Sequence, residues 1–272
     1  MFTVDDLNVN QIFDGARIIL CLSFLIYASW SDYKTREVSN KVWVILGPLA
    51  LALTGFQFLV YSPQTLQLII SYVLSFAITS GLVIAVFYAG GFGGADAKAL
   101  MCISLALPVY PNHLLSQPVG FVSPLFPITV FTNSVLLGAL SVFYALFRNI
   151  LWTARNREGV FEGLETESFG RKILALISGY KVKMSKLEKG HMYPLEDVEL
   201  TEGGQKNRKL LVFPKYEERE DIIARIREDV KMEKREVWVT PGLPLLIFIT
   251  TGLIIALAYG DIVWFLLGSI IT

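Results

Sequence analysis

The chain has 272 residues, with 24 Lys plus Arg against 24 Asp plus Glu, and 53% of it is hydrophobic at a mean hydropathy of +0.52. That apolar content exceeds what soluble domains usually carry. It is also segregated: residues 11–152 and 241–272 hold long apolar runs, while 153–240 hold most of the charge. An ordinary soluble domain is excluded, no nucleic-acid partner is expected, and the composition points to a chain that crosses a lipid bilayer several times.

A bilayer core needs roughly 20 apolar residues per helix, because every backbone N–H and C=O must be paired internally there. Span 1 is expected at about 13–31. The residues before it are acidic (Asp5, Asp6, Asp14), Arg17 is the one positive group, and no small-x-small cleavage site follows, so it reads as a retained helix rather than a signal peptide. The polar segment Asp32 to Lys41 leads to span 2 at about 42–61, and Ser62-Pro63-Gln64 turns into span 3 at about 66–89. Gly90-Gly91-Phe92-Gly93-Gly94 precedes span 4, about 96–109, which is short and bounded by Pro108 and Pro111. An uncharged Pro-rich loop leads to span 5 at about 127–152, and span 6 runs about 243–271 with a break near Gly260-Asp261.

With the amino terminus outside, Lys34, Arg36, Lys41, Lys98, Arg148 and every Lys or Arg from Arg155 to Arg235 fall on the inner side. Only Arg17 does not, so the distribution obeys the positive-inside rule. The expected fold is an all-α polytopic membrane protein of about six transmembrane helices, with a small α+β cytoplasmic domain between the fifth and sixth spans. Residues 1–152 form a membrane domain with spans 1–5, 153–240 the soluble domain, and 241–272 the final span. Within the insert, a helix is expected at about 167–177 and strands at Lys209–Phe213 and Arg235–Val239. Tyr216–Lys234 places Ile222, Ile223, Ile226 and Val230 at helical spacing. Cys21 and Cys102 lie in apolar runs outside any CxxC pair, so neither a disulfide framework nor a metal site is expected.

Asp32 ends span 1 and Asp96 starts span 4, so this topology sets both at the inner membrane edge. Two carboxyls held close cannot both ionise cheaply, and such a pair supplies one base and one acid. That is the requirement for hydrolysing an amide with water and no metal. Singly, each has an ordinary reading: Asp96 suits the start of a helix, and Asp32 suits a loop. Gly90, Gly91, Gly93 and Gly94 leave the backbone before Asp96 bare, which suits an extended substrate strand; flexible breaks or close helix contacts are the plainer explanation.

Gly93-Gly94-Ala95-Asp96 followed by Ala97-Lys98 resembles the GxGD motif of the prepilin peptidases, intramembrane aspartyl proteases. Asp32, followed by Val38-Ser39-Asn40, resembles the same family's first aspartate motif. The resemblance covers 13–152 and 241–272 and is closest to the archaeal type IV prepilin and preflagellin (prearchaellin) peptidases, including Trp238-Val239-Thr240-Pro241 before the last span. It implies Asp32 and Asp96 as the catalytic pair, and cleavage at the cytoplasmic face between a short basic leader and a hydrophobic helix of an archaellin-like or pilin-like precursor. Gly93, Gly94, Ala95 and Glu37 are the expected substrate-binding residues, no cofactor is expected, and the chain lies in the plasma membrane. Ala95 departs from the motif's second glycine, a modest matter if its φ is negative and a serious one if positive. The cysteine tetrad of bacterial relatives is absent from the sequence, so peptidase activity without methyl transfer is expected.

Lys98 lies nearly opposite Asp96 on a helix and reads as a headgroup anchor. Asp261 reads as an interfacial cap, and Asn133 as a partner for another helix. Two other classes fit part of the pattern: a proton- or cation-coupled transporter using the same acids, and a non-catalytic scaffold whose insert recruits partners.

Overall fold

The computed structural model describes residues 4–60, 66–116, 118, 120–156, 159–189, 192–200, 206–211, 219–228 and 236–271. The turn expected at 62–64 and the helical position of Val230 lie outside them. The chain divides into two compact units, Met1–Gly138 with Pro244–Thr272, and Ala139–Leu243. It is mostly helical, with a small sheet region.

The first unit holds helices α1 (Val4–Thr35), α2 (Asn40–Val60), α3 (Leu66–Tyr88), α4 (Gly94–Ala106) and α5 (Phe126–Ala139), and, after the second unit, α10 (Leu245–Ala258) and α11 (Ile262–Ile271). Among the described residues, Val9–Thr35, Ile69–Tyr88 and Phe126–Arg155 are long and apolar enough to cross a membrane. The bent pair Leu245–Ala258 and Ile262–Ile270, meeting at 64°, adds a fourth if it is one span. The break expected near Gly260-Asp261 is there: Gly260 has φ +105°, Gly120 N–H donates to Tyr259 O at 2.8 Å, and Asp261 N–H donates to Phe121 O at 2.8 Å. Asp261 then caps α11, accepting from the N–H groups of Val263 and Trp264 and from Thr132 Oγ1, while Asn133 donates to Gly260 O.

α4 is the centre of this unit. At 13 residues it spans only about 20 Å, short of the roughly 30 Å hydrocarbon layer. It packs against α1, α2, α3 and α10, and Ala97, Ala99, Leu100, Cys102, Ile103 and Ala106 are all buried. Such apolar residues on most sides of a helix mean burial on most sides, and Lys98 alone among its residues is exposed. Lipid tails are as apolar as leucine, so this burial gains its stability from close packing and hydrogen bonds, which the small alanines favour.

A helix that ends inside the bundle leaves carbonyls that water cannot reach. Here the neighbours supply donors: Thr54 Oγ1 of α2 donates to Leu105 O at 3.0 Å, Ser75 Oγ of α3 donates to Pro108 O at 2.8 Å, and Tyr72 OH also donates to Leu105 O. Arg17, the one cation that breaks the charge pattern, is buried in an ion pair with Asp14, whose other oxygen accepts from His113 N–H at 3.1 Å.

The second unit contains α6 (Ser141–Arg155), α7 (Phe169–Ser178), β1 (Tyr180–Lys183), α8 (Met184–Lys189), β2 (Met192–Pro194), β3 (Glu196–Leu200), β4 (Lys206–Leu210), α9 (Arg219–Glu228) and β5 (Glu236–Pro241). One antiparallel sheet has the order β1-β5-β2, and β3 pairs with β4 in a second. Side chains alternate across β5 as a strand requires. Val237 and Val239 join Ile222, Ile223 and Ile226 of α9 in one buried cluster, and Trp238 joins Leu164, Ala175, Leu195 and Leu210 in another, with Phe161 stacked on its ring at 5.1 Å. The unit therefore has buried clusters of its own. Buried Glu196 bonds Arg208 at 2.7 Å and accepts from Trp238 N–H at 3.1 Å. Burial pushes its carboxyl above the usual range against the opposing pull of Arg208. Asp197 takes a two-pronged bond from Arg225, at 2.9 and 2.8 Å.

Candidate active site

Asp32 lies in the last turn of α1, a partly exposed carboxyl at the end of the unit where the 36–39 loop begins. The chain turns there without glycine. Arg36 takes φ +59°, its N–H donating to Asp32 O at 3.0 Å. A left-handed residue at a helix end satisfies a carbonyl, but for a non-glycine it costs about 1–2 kcal/mol. Hydroxyls brace the turn: Ser31 Oγ donates to Glu37 O at 2.8 Å, and Thr35 Oγ1 donates to Ser31 O and Glu37 O at 2.9 and 3.0 Å. Glu37 thus contributes its backbone carbonyl to the turn, while its side chain is exposed.

The glycine run divides into two tasks. Gly90, with φ +78°, ends α3: its N–H donates to Phe87 O and the N–H of Gly91 donates to Val86 O, both at 2.9 Å. This is the paired-bond helix terminus that only a residue without Cβ adopts freely. Gly93 is extended, with φ −74° and ψ 157°, and caps the start of α4. Its N–H donates to Asp96 Oδ2 at 3.0 Å, and a Cβ placed on Gly93 would stand 3.0 Å from that same oxygen. The Asp96 carboxylate thus reaches back over the first helical turn, where its charge also suits the helix dipole. Ala95 lies within the helix, and Arg36 is the sole non-glycine residue of positive φ among those described. The alanine in place of glycine is therefore conformationally ordinary, and Gly93 and Gly94 have no left-handed requirement to absorb.

Asp96 is only 7% exposed. The two carboxyls stand within electrostatic reach of one another, and the Arg36 guanidinium acts on Asp32. Neither aspartate has a cation within ion-pair distance among the described residues, whereas Asp14 in the same unit does. Such an arrangement can pass protons between a water, an amide and the two carboxyls.

Two features escaped the sequence reading. Arg36 in the left-handed region left no signal, because glycine or asparagine is the residue expected there. Lys98, read as a headgroup anchor, donates instead to Asn40 Oδ1 at 2.7 Å, joining the start of α4 to the start of α2. Its signal was available, since both residues belong to the two aspartate motifs. Lys34 places its ammonium 5.0 Å from the centre of the exposed Trp30 ring.

Comparison with known proteins bears on this site. The profile of the type IV leader peptidase family matches residues 19–143, and that of the archaeal peptidase A24 C-terminus, type II, matches residues 171–262. The chain is 29% identical over 247 residues to a preflagellin peptidase of Methanococcus maripaludis, covering 87% of this chain and 92% of that one. It is 27% identical to those of Methanococcus voltae and Methanocaldococcus jannaschii, over 87% of this chain and 92% and 91% of theirs.

Proposed function

Because this chain belongs to the type IV leader peptidase family, we propose that it is an aspartic endopeptidase that removes the leader peptide from archaellin-like or pilin-like precursors. One observation carries the mechanism: two carboxyls with no ion-paired cation among the described residues, one ending α1 and one opening α4, stand within electrostatic reach of each other. Asp32 and Asp96 are the catalytic pair. The ionised member takes a proton from the attacking water, and the protonated member assists the developing oxyanion and the leaving amine. The bare backbone of Gly93, Gly94 and Ala95 receives the extended substrate, with exposed Glu37 near the basic leader. A transporter using the same acids finds no support among the relatives, which are peptidases by name.

In this reading the protein is a multi-pass plasma-membrane protein of about six spans, with its amino terminus outside. The catalytic pair and residues 153–240 face the cytoplasm, where the precursor presents its short basic leader ahead of a hydrophobic helix. The membrane charge distribution supports that orientation. The test is incubation of archaellin and pilin precursors with membranes carrying the wild type, Asp32→Asn or Asp96→Asn. Cleavage by the wild type alone is expected, and full processing by either variant ends the proposal. Activity should also be bell-shaped in pH, because one carboxyl must hold a proton while the other lacks it. A flat profile with hydrolysis rate-limiting would count against a pair.

A further inference from the structure

We propose that Lys98 and Asn40 form a latch that sets the separation of the two aspartates, Lys98 acting as a positioning residue through the placement of α4. This rests on the peptidase reading above. Asp96 and Lys98 are two residues apart, about 200° around the helix, so the buried carboxyl faces the bundle while the exposed lysine faces away from it. Lys98 therefore does not reach the reacting groups. Its ammonium instead bonds Asn40 Oδ1 at 2.7 Å, across 58 residues of sequence.

The contact is not one that helix electrostatics favours. Asn40 opens α2, so the ammonium meets the positive end of that helix's dipole. Asparagine at a helix start commonly caps its own helix. Here Ser39 serves that end, accepting from Lys41 N–H through Oγ at 3.4 Å and from Val42 N–H through its carbonyl at 3.1 Å, and Asn40 Oδ1 is turned to Lys98.

The position of the bond gives it a function. The carboxyl-terminal end of α4 is fixed by Thr54, Tyr72 and Ser75. At the opposite end, among the described residues, Lys98–Asn40 is the hydrogen bond tying the first two turns of α4 to the segment that follows Asp32. The Asp32 turn, braced by Ser31 and Thr35, runs directly into Asn40. Lys98 and Asn40 thus join the two short segments that carry the aspartates. Loss of the bond frees α4 to shift at its Asp96 end, and displacements of about 1 Å in a reacting geometry cost up to about a hundredfold in rate.

The test measures kcat and KM of the purified full-length protein for leader release from an archaellin precursor. The variants are Lys98→Met, Asn40→Leu, their double and Lys98→Arg, with Asp32→Asn and Asp96→Asn alongside. Each single neutral substitution should lower kcat about tenfold, the size of a lost hydrogen bond to a charged group, with KM changed less than about twofold. The double variant should be no slower than the singles, and Lys98→Arg, which retains a donor of similar reach, should recover kcat to within about threefold. Wild-type kcat in either single variant, losses that multiply in the double, or an arginine variant as slow as the methionine one would overturn the latch. Processing by an aspartate variant would sink the peptidase reading itself. Inactive aspartate variants beside a fully active Lys98→Met would sink the latch alone.

Discussion

In the helical unit, the hydroxyls of buried Thr54 and Ser75 and half-buried Tyr72 each donate to a backbone carbonyl, whereas in the mixed unit the buried carboxylates of Glu196 and Asp197 are held by Arg208 and Arg225. The contrast follows from backbone chemistry. Membrane helices satisfy their own N–H and C=O groups except at their ends, so a neutral donor at each end is enough. A small sheet with open edges and charged strands needs side-chain partners for what it buries. Against the first background a carboxyl is an outlier that requires a reason. Asp14 has one in Arg17, and Asp261 has one as a helix cap. Asp32 and Asp96 have no such counter-ion among the described residues, and chemistry is the reason we assign to them.

The largest expected effect tests that distinction. Asp32→Asn and Asp96→Asn should each lower precursor cleavage about 10²–10⁴-fold, with thermal unfolding in detergent almost unchanged. Asp14→Asn should do the reverse: it strands buried Arg17 and should destabilise by about 3 kcal/mol, while folded molecules keep their cleavage rate. An Asp14 variant that folds normally but does not cleave would erase the contrast.

In the mixed unit, Glu196→Ala should cost about 3–5 kcal/mol by leaving Arg208 without its carboxylate, read as a lower midpoint in Trp238 fluorescence. A shift under about 1 kcal/mol would show that the pair is dispensable. The pH dependence sharpens this. The folded-state pKa of Glu196 is raised above the unfolded value, so its contribution is full below the ordinary glutamate range and is lost as pH rises through the raised value. The stability of Glu196→Gln relative to the wild type should therefore improve from pH 4 toward pH 7. A gap that widens against the variant would reverse the sign.

Smaller effects belong to the neutral bonds. Thr54→Val should cost about 1 kcal/mol in thermal unfolding. Ala95→Gly, which restores the family's glycine, should cost about 0.5–1 kcal/mol as a helical glycine and leave cleavage within about twofold. A marked rise in rate would mean that the working state needs a backbone at 95 that alanine resists.

The residues of the candidate site were legible in the sequence because they fall in short, ordered motifs: Asp32 with Asn40, and Gly93 with Asp96. Their surroundings were less so. α4 reads as a short span, and its central place depends on what packs around it, which a helix with no distinct polar face does not announce. In the insert, β5 was visible in Val237, Trp238 and Val239, while β3 was not. Its Glu196, Asp197 and Glu199 are residues that strands ordinarily avoid, and they are held there by Arg208, Arg225 and Lys209 from elsewhere in the chain. β4 covers Lys206–Leu210 and so overlaps the expected 209–213, of which 212 and 213 lie outside the described residues; its earlier start at Lys206 follows from the register with β3 rather than from its own residues. The split of the glycine run was equally hidden, since Gly90 and Gly93 look alike until one ends a helix and the other begins the next.

The encirclement of α4 reaches beyond stability. Helices that face acyl chains tilt or stretch when the bilayer thickens or thins, because their apolar length must match it. α4 faces other helices on all but its Lys98 side, so such mismatch falls mainly on α1, α2, α3 and α10 and reaches buried Asp96 through their packing. Reconstituted in lipids of increasing chain length, the protein should therefore hold a steady turnover while its outer helices adjust their tilt.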